Sequence, residues 1–220
     1  AYWASRIASK ELKAKKTISF LKIAAAEENS FYGQLALEAL GLDENLKFDL
    51  PEISNEFISF LSNQPGGKRA FAFIQLKYHW YADRELRRLY EKIPEEFHMD
   101  LMSFSARFNL PSLAYRIADL ERRKSGAEWL GALYPDLYID EDIRNNLDIA
   151  LIHSIIRQES RFDQRGKSPA KAQGLMQILP STAAFITKNN DYKGKLRYKL
   201  LLKNINISIG NKYIKQLLNE

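Results

Sequence analysis

One carboxylate stands out in this sequence. Glu159 follows the apolar run Leu147, Ile149, Ala150, Leu151, Ile152, Ile155 and Ile156, lying four residues after Ile155 and eight after Leu151. That spacing predicts a helix buried on most sides, with Glu159 on its buried face. A carboxyl group removed from water resists ionisation, and an acid still protonated near neutral pH can donate a proton to a leaving oxygen, as glycoside cleavage requires. The same glutamate could instead pair with Arg157, Arg161 or Arg165 at the helix end and serve structure alone.

Other routes to chemistry are closed or weak. Cysteine is absent, which excludes disulfides, thiol nucleophiles and cysteine-held metals. His79, His98 and His153 are too scattered for a metal-binding pattern, and His153 reads as a hydrogen-bonded core residue. Neither a glycine-rich phosphate loop nor a nucleophile elbow occurs, so no metal and no cofactor are expected. Ser168 precedes Pro169 and could simply open a turn, while Met176, Ile178 and Leu179 could fill a core.

The stretch Arg157-Gln158-Glu159-Ser160-Arg161-Phe162-Asp163, followed by Ser168-Pro169-Ala170 and by Gly174-Leu175-Met176-Gln177-Ile178-Leu179-Pro180-Ser181-Thr182-Ala183, resembles the soluble lytic transglycosylases. In that family a lysozyme-like catalytic domain follows a helical superhelix. Tyr2-Trp3-Ala4-Ser5-Arg6 and Ser30-Phe31-Tyr32-Gly33-Gln34-Leu35-Ala36 resemble its superhelix. The resemblance is tight over roughly Leu147 to Lys188 and loose before Asp140.

The resemblance implies that Glu159 is the single acid/base in cleavage of peptidoglycan between N-acetylmuramic acid and N-acetylglucosamine. The muramic C6 hydroxyl attacks C1 and leaves a 1,6-anhydro product, so no second carboxylate is needed to activate water. It also implies that Ser168 contacts sugar, that Gln177 and Leu179 line the groove, and that Gly174 permits close backbone approach. Two departures stand out. Lys171 occupies a position where relatives often carry glycine or another small residue, so the loop over the site is expected to be conformed differently. The family's later Tyr-Asn-Ala-Gly type segment is not reached before Asn219-Glu220, so residues 1–220 by themselves are expected to bind glycan weakly and cleave it poorly or not at all. A hydrolytic muramidase on the same fold, with Asp163 as the nearest second carboxylate, and a non-catalytic helical scaffold binding glycan or protein are the alternatives.

Positioning such a site falls to helices. Valine is absent and threonine occurs three times, which argues against an extensive sheet. Short amphipathic stripes run through residues 1–140: Trp3, Ile7 and Ala8; Ile18, Leu21 and Ala25; Phe31, Leu35 and Ala39, closed by Gly41; then Phe71, Ile74 and Tyr78. Asp83 reads as an N-cap and Pro111 as a first-turn residue, with breaks at Pro51, Pro65-Gly66-Gly67, Pro94, Ser125-Gly126 and Pro135. Such short helices must bury their stripes on neighbours, which predicts stacked hairpins in an α-superhelix. The aromatics Phe71, Phe73, Tyr78, Trp80 and Tyr81 are expected in its core. The fold class is therefore all-α: a helical superhelix over residues 1–140 and a lysozyme-like helical domain, incomplete at its C-terminus, over 141–220.

Charge supports a boundary near Asp140. Residues 1–140 hold 19 Lys/Arg against 20 Asp/Glu, whereas 141–220 hold 14 against 7, so the net +6 resides in the final part. A basic face there suits an anionic polymer such as peptidoglycan, with its peptide carboxylates. No nucleic-acid partner is expected. Ser181 and Thr182 read as caps for a helix through Ile186, and a lysine-rich helix from about Leu196 ends the chain. No apolar run of about 18 residues is present, so no transmembrane span is expected. A start at Ala1 without Met fits removal of a signal peptide and a periplasmic location.

Overall fold

The computed structural model describes residues 1–43, 46–144 and 148–218; Leu147, Asn219 and Glu220 lie outside the described residues. Thirteen α-helices occur among the described residues: α1 (Tyr2–Lys10), α2 (Ala14–Ala25), α3 (Phe31–Leu40), α4 (Asn55–Asn63), α5 (Pro65–Gln75), α6 (His79–Leu89), α7 (His98–Arg107), α8 (Pro111–Ser125), α9 (Leu130–Leu133), α10 (Glu141–Arg144), α11 (Ile149–Ser160), α12 (Pro180–Thr187) and α13 (Lys203–Leu218). The only β pairing among them is two isolated bridges, Lys167 with Gln173 and Gln173 with Ile178. The fold is all-α.

Two compact units divide the chain, residues 1–48 and residues 49–220. In the first, α1 packs on α2 and α2 on α3. Leu21, Ala24, Ala25, Ala36 and Leu37 form its core. Ser30 caps α3 by accepting from the Gly33 N–H at 2.9 Å, and Gly41 ends it in the left-handed conformation. The burying faces differ from the expected stripes. Trp3, Ile7 and Phe31 are exposed, while Ser5, Ala8, Gly33 and Ala36 turn inward. A Cβ on Gly33 would lie 1.9 Å from the carbonyl oxygen of Glu27, in the turn that leads into α3, so glycine is required there. Tyr2, Trp3, Phe31 and Tyr32 instead form an aromatic cluster, with Tyr2 stacked on Tyr32 at 5.4 Å.

In residues 49–220, α5 packs on α6 and α7 on α8, around Phe57, Leu61, Leu86, Phe104, Leu113 and Ile117. Pro111 does open α8, and Gly126 ends it in the left-handed region. Two local expectations fail. Pro65, Gly66 and Gly67 form the first turn of α5, with Pro65 at its first position, so the break falls at Gln64; a Cβ on Gly67 would lie 1.9 Å from the Leu61 carbonyl oxygen, which keeps that position glycine. Asp83 is not a cap but sits buried inside α6, paired with Arg87 one turn on. Of the aromatics expected in the core, Phe71 meets the buried Phe104 at 5.8 Å, whereas Tyr78 and Tyr81 remain exposed.

A second core joins Leu137, Ile139, Ile152, Ile156, Phe162, Leu175, Met176, Ile178, Leu200 and Ile207. α11 contributes only Ile152 and Ile156 as buried residues, so it is amphipathic rather than buried on most sides; Ala150, Ser154 and Gln158 face solvent. Asp148 caps it, accepting from the Leu151 N–H at 3.0 Å. α12 begins at Pro180 without a side-chain cap, so Ser181 and Thr182 do not cap it. The final helix begins at Lys203, because residues 197–201 form a 3₁₀ turn. No described helix is long and apolar enough to cross a membrane.

Candidate active site

Glu159 occupies the last turn of α11, one turn beyond the buried Ile156. Its side chain is exposed, contrary to the expected burial, because the stripe that packs at Ile152 and Ile156 has left the core by residue 159. Among the described residues it has no ion-pair or hydrogen-bond partner. Two of the three arginines that could have paired with it are held elsewhere. The Arg157 Nε–H donates to the Leu133 carbonyl at 3.0 Å, and its guanidinium lies 4.2 Å from the Tyr134 ring and 5.3 Å from Tyr115. Arg165 lies 4.0 Å over the Trp80 ring and 5.3 Å from Tyr81. Arg161 is exposed at the helix C-cap. Glu159 is therefore a free carboxylate.

The chain then turns sharply. Arg161 and Phe162 both adopt left-handed backbone, with φ of 50° and 63°, which costs an L-residue about 1–2 kcal/mol each. Burial of the Phe162 ring among α11 and Tyr115 offsets that cost. Asp163 accepts from the Arg165 N–H at 3.0 Å, making a local turn. Its exposed carboxylate thus has a structural task at the place where a second acid was considered.

Ser168, half-buried, opens the next turn: its hydroxyl oxygen accepts from the Ala172 N–H at 3.1 Å, and its own N–H donates to the Ala172 carbonyl at 3.0 Å. The turn reading of Ser168 is thus realised, and a remaining lone pair and the hydroxyl proton are left for a ligand. Lys171, inside this turn, has φ of 70°, the conformation that glycine adopts without strain. Gln177, also left-handed at φ 44°, donates from Nε2 to the Gly174 carbonyl at 2.8 Å. Leu179 is 38% exposed and immediately precedes α12.

Gly174 also adopts left-handed backbone, with φ of 77°. It is buried, and a Cβ there would lie 2.3 Å from the Leu200 carbonyl oxygen and 2.4 Å from Nδ2 of Asn206. The close approach it permits is to the chain itself.

Asn206 is the residue that sequence reasoning missed. Fully buried on α13, it accepts from the Met176 N–H at 2.8 Å and donates to the carbonyls of Gln173 at 2.9 Å and Leu200 at 2.8 Å. Gln173, turned so that its oxygen faces Arg197, accepts from Nη2 at 3.0 Å. The signal available was an asparagine directly between Ile205 and Ile207. His153 behaves as expected of a core histidine: Nε2 accepts from the Leu137 N–H at 3.1 Å, and Nδ1 faces the Ile149 carbonyl at 2.9 Å.

These elements therefore present one free carboxylate, the Ser168 hydroxyl, the Gln177 carboxamide and the exposed Leu179, with Ser168 and Gln177 on turns closed by their own hydrogen bonds to backbone. The arrangement can exchange a proton with an oxygen brought to Glu159.

Residues 136–220 match the family of the transglycosylase SLT domain. Over 200 residues the chain is 26% identical to the soluble lytic murein transglycosylase of Salmonella typhimurium, covering 87% of this chain and 30% of that protein. The crystal structure of the 70 kDa soluble lytic transglycosylase from Escherichia coli superposes with a TM-score of 0.77 at 20% identity, covering 99% of this chain and 35% of that one. An inactive mutant of the lytic transglycosylase Slt from Pseudomonas aeruginosa gives a TM-score of 0.72 at 22% identity, covering 99% and 36%. The chain thus spans about a third of the length of these relatives. The chain is thus similar to the soluble lytic transglycosylases, and its residues 136–220 match the transglycosylase SLT domain.

Proposed function

We propose that the protein carrying this chain is a periplasmic lyase that cleaves the β-1,4 bond between N-acetylmuramic acid and N-acetylglucosamine in peptidoglycan. The observation that carries this reading is the free carboxylate of Glu159, held at a helix end where Arg157 and Arg165 are engaged elsewhere. In its protonated form Glu159 donates to the glycosidic oxygen as the bond from C1 to that oxygen breaks. The carboxylate then takes the proton of the muramic C6 hydroxyl as C6 oxygen bonds to C1, so the enzyme ends as it began and no water is consumed. Exposure of Glu159 gives the substrate a part in this: a sugar ring laid over the carboxyl group displaces the water around it. Ser168, Gln177 and Leu179 are the residues proposed to touch that sugar. Gly174 supports them from beneath.

The division of the chain into a superhelical part, residues 1–140, and a catalytic part, 141–220, belongs to this proposal. The family match from residue 136 and the core containing Leu137 and Ile139 favour a junction in this neighbourhood. Digestion of purified peptidoglycan by the protein tests the whole reading. Anhydro-muropeptides are the expected product; reducing-end muropeptides would show a hydrolase, and binding without cleavage would show a scaffold.

A further inference from the structure

We propose that Trp80, on α6 and outside the matched SLT domain, is a positioning residue for the catalytic loop, acting through Arg165. This inference rests on the transglycosylase reading of Glu159 and Ser168. The loop between those two residues begins with consecutive left-handed non-glycine residues, Arg161 and Phe162, a conformation that persists only where surrounding groups impose it. Three side chains of the loop are held from outside it. Phe162 is buried near Tyr115, Gln164 donates to the Leu201 carbonyl at 3.3 Å, and Arg165 lies on Trp80.

The Arg165 grip is the one made to α6. Its guanidinium lies 4.0 Å from the Trp80 ring centroid, and Arg84, one turn further along α6, lies 5.4 Å from the same ring. Trp80 is half-buried, so the stack is partly shielded from water, where a cation over an indole face binds most strongly. The Arg165 backbone is fixed by Asp163, and the next residue, Gly166, accepts from the Gly174 N–H at 2.9 Å. Gly166 also lies against the Gln177 carboxamide, where a Cβ would come within 3.2 Å of Nε2. A displacement of Arg165 therefore passes directly to Gly166, to Gln177 and to the turn that Ser168 opens. Misplacing a sugar contact relative to the proton donor lowers turnover more than binding, because ground-state contacts tolerate movement that the reacting geometry does not.

The test uses the whole protein with Trp80→Ala, Trp80→Phe, Arg165→Ala and the double variant Trp80→Ala/Arg165→Ala. Two quantities are read: kcat and KM on peptidoglycan, and amide hydrogen exchange at Gly166 and Gly174. Trp80→Ala is expected to lower kcat on the order of tenfold with KM changed less than about threefold. Trp80→Phe keeps a ring face and restores most of the loss. The double variant is no worse than either single one, as for two partners in one contact. Exchange at Gly166 and Gly174 accelerates in Trp80→Ala while the α7 and α8 amides stay protected. Unchanged kcat and unchanged exchange, or additive losses in the double variant, would overturn the proposal. Exchange reads the grip even where wild-type protein cleaves no glycan, so failure of the activity assignment is separable from failure of the latch.

Discussion

The helices α7 and α8 and the segment 161–179 are shaped by different forces. α7 and α8 bury Leu101, Phe104, Leu113 and Ile117, and their backbone bonds are internal to the helices. Segment 161–179 has little regular structure, and holds Arg161, Phe162, Lys171 and Gln177 in left-handed backbone. Its turns are closed by Asp163, Ser168, Gln177 and the distant Asn206. Apolar area stabilises the first region and is tolerant of like-for-like change. Few, irreplaceable polar contacts specify the second, and Ser168, Gln177 and Leu179 of the candidate site lie there.

The largest effect should separate activity from stability altogether. Glu159→Gln is expected to lower turnover by about 10²-fold or more while leaving the melting temperature unchanged, since the exposed side chain has no partner to lose. Wild-type-like release of anhydro-muropeptides by this variant would remove Glu159 from its role. Asn206→Leu should come next, costing about 3 kcal/mol by leaving the Met176 N–H and the Gln173 and Leu200 carbonyls buried without partners. Denaturant unfolding measures it, and a loss below about 1 kcal/mol would mean that the loop holds its shape without Asn206.

The helical region supplies a contrast in pH dependence. The hydrogen bond from Arg122, with Arg123 beside it, holds the Asp119 carboxyl below its ordinary value of 3.8, despite opposition from desolvation. The lowered folded pKa means that this ion pair stabilises above the unfolded value and is lost as pH falls through the folded one. Asp119→Asn should accordingly be less stable than wild type near neutral pH and converge with it in strong acid. Parallel stability curves down to the lowest pH would contradict this. The smallest expected effect is favourable: Lys171→Gly relieves the left-handed strain at φ 70° and should stabilise by about 0.5–1 kcal/mol, raising the melting temperature by roughly 1–4 °C.

Sequence periodicity revealed helices more reliably than faces. Gly41, Pro111 and Gly126 punctuate the chain where local chemistry says they should. Both sides of α1 and α3 carry apolar residues, however, and the choice of Ser5, Ala8, Gly33 and Ala36 over Trp3 and Phe31 as inward positions depends on how closely neighbouring helices approach. Asp83 has the chemistry of a cap, and only its pairing with Arg87 inside the helix shows otherwise. At the site, the motif around Glu159 was legible but its exposure was not, because spacing along a helix says nothing of where the covering elements end. Lys171 was recognised as an unusual occupant, and its left-handed backbone supplies the reason. Asn206 could not be placed from sequence: its partners lie 30 and 33 residues upstream at Met176 and Gln173.

That separation also orders events in time. The turn at Gln173–Met176 takes its final hydrogen bonds from α13, so a chain synthesised only as far as α12 carries Glu159 and Ser168 without the buried amide that fixes the ground beneath them. Closing a loop of this length has an entropic cost that neighbouring helical hairpins do not meet. Hairpins such as α7 and α8 can pair as soon as both have emerged from the ribosome, whereas the catalytic surface matures only when Asn206 docks.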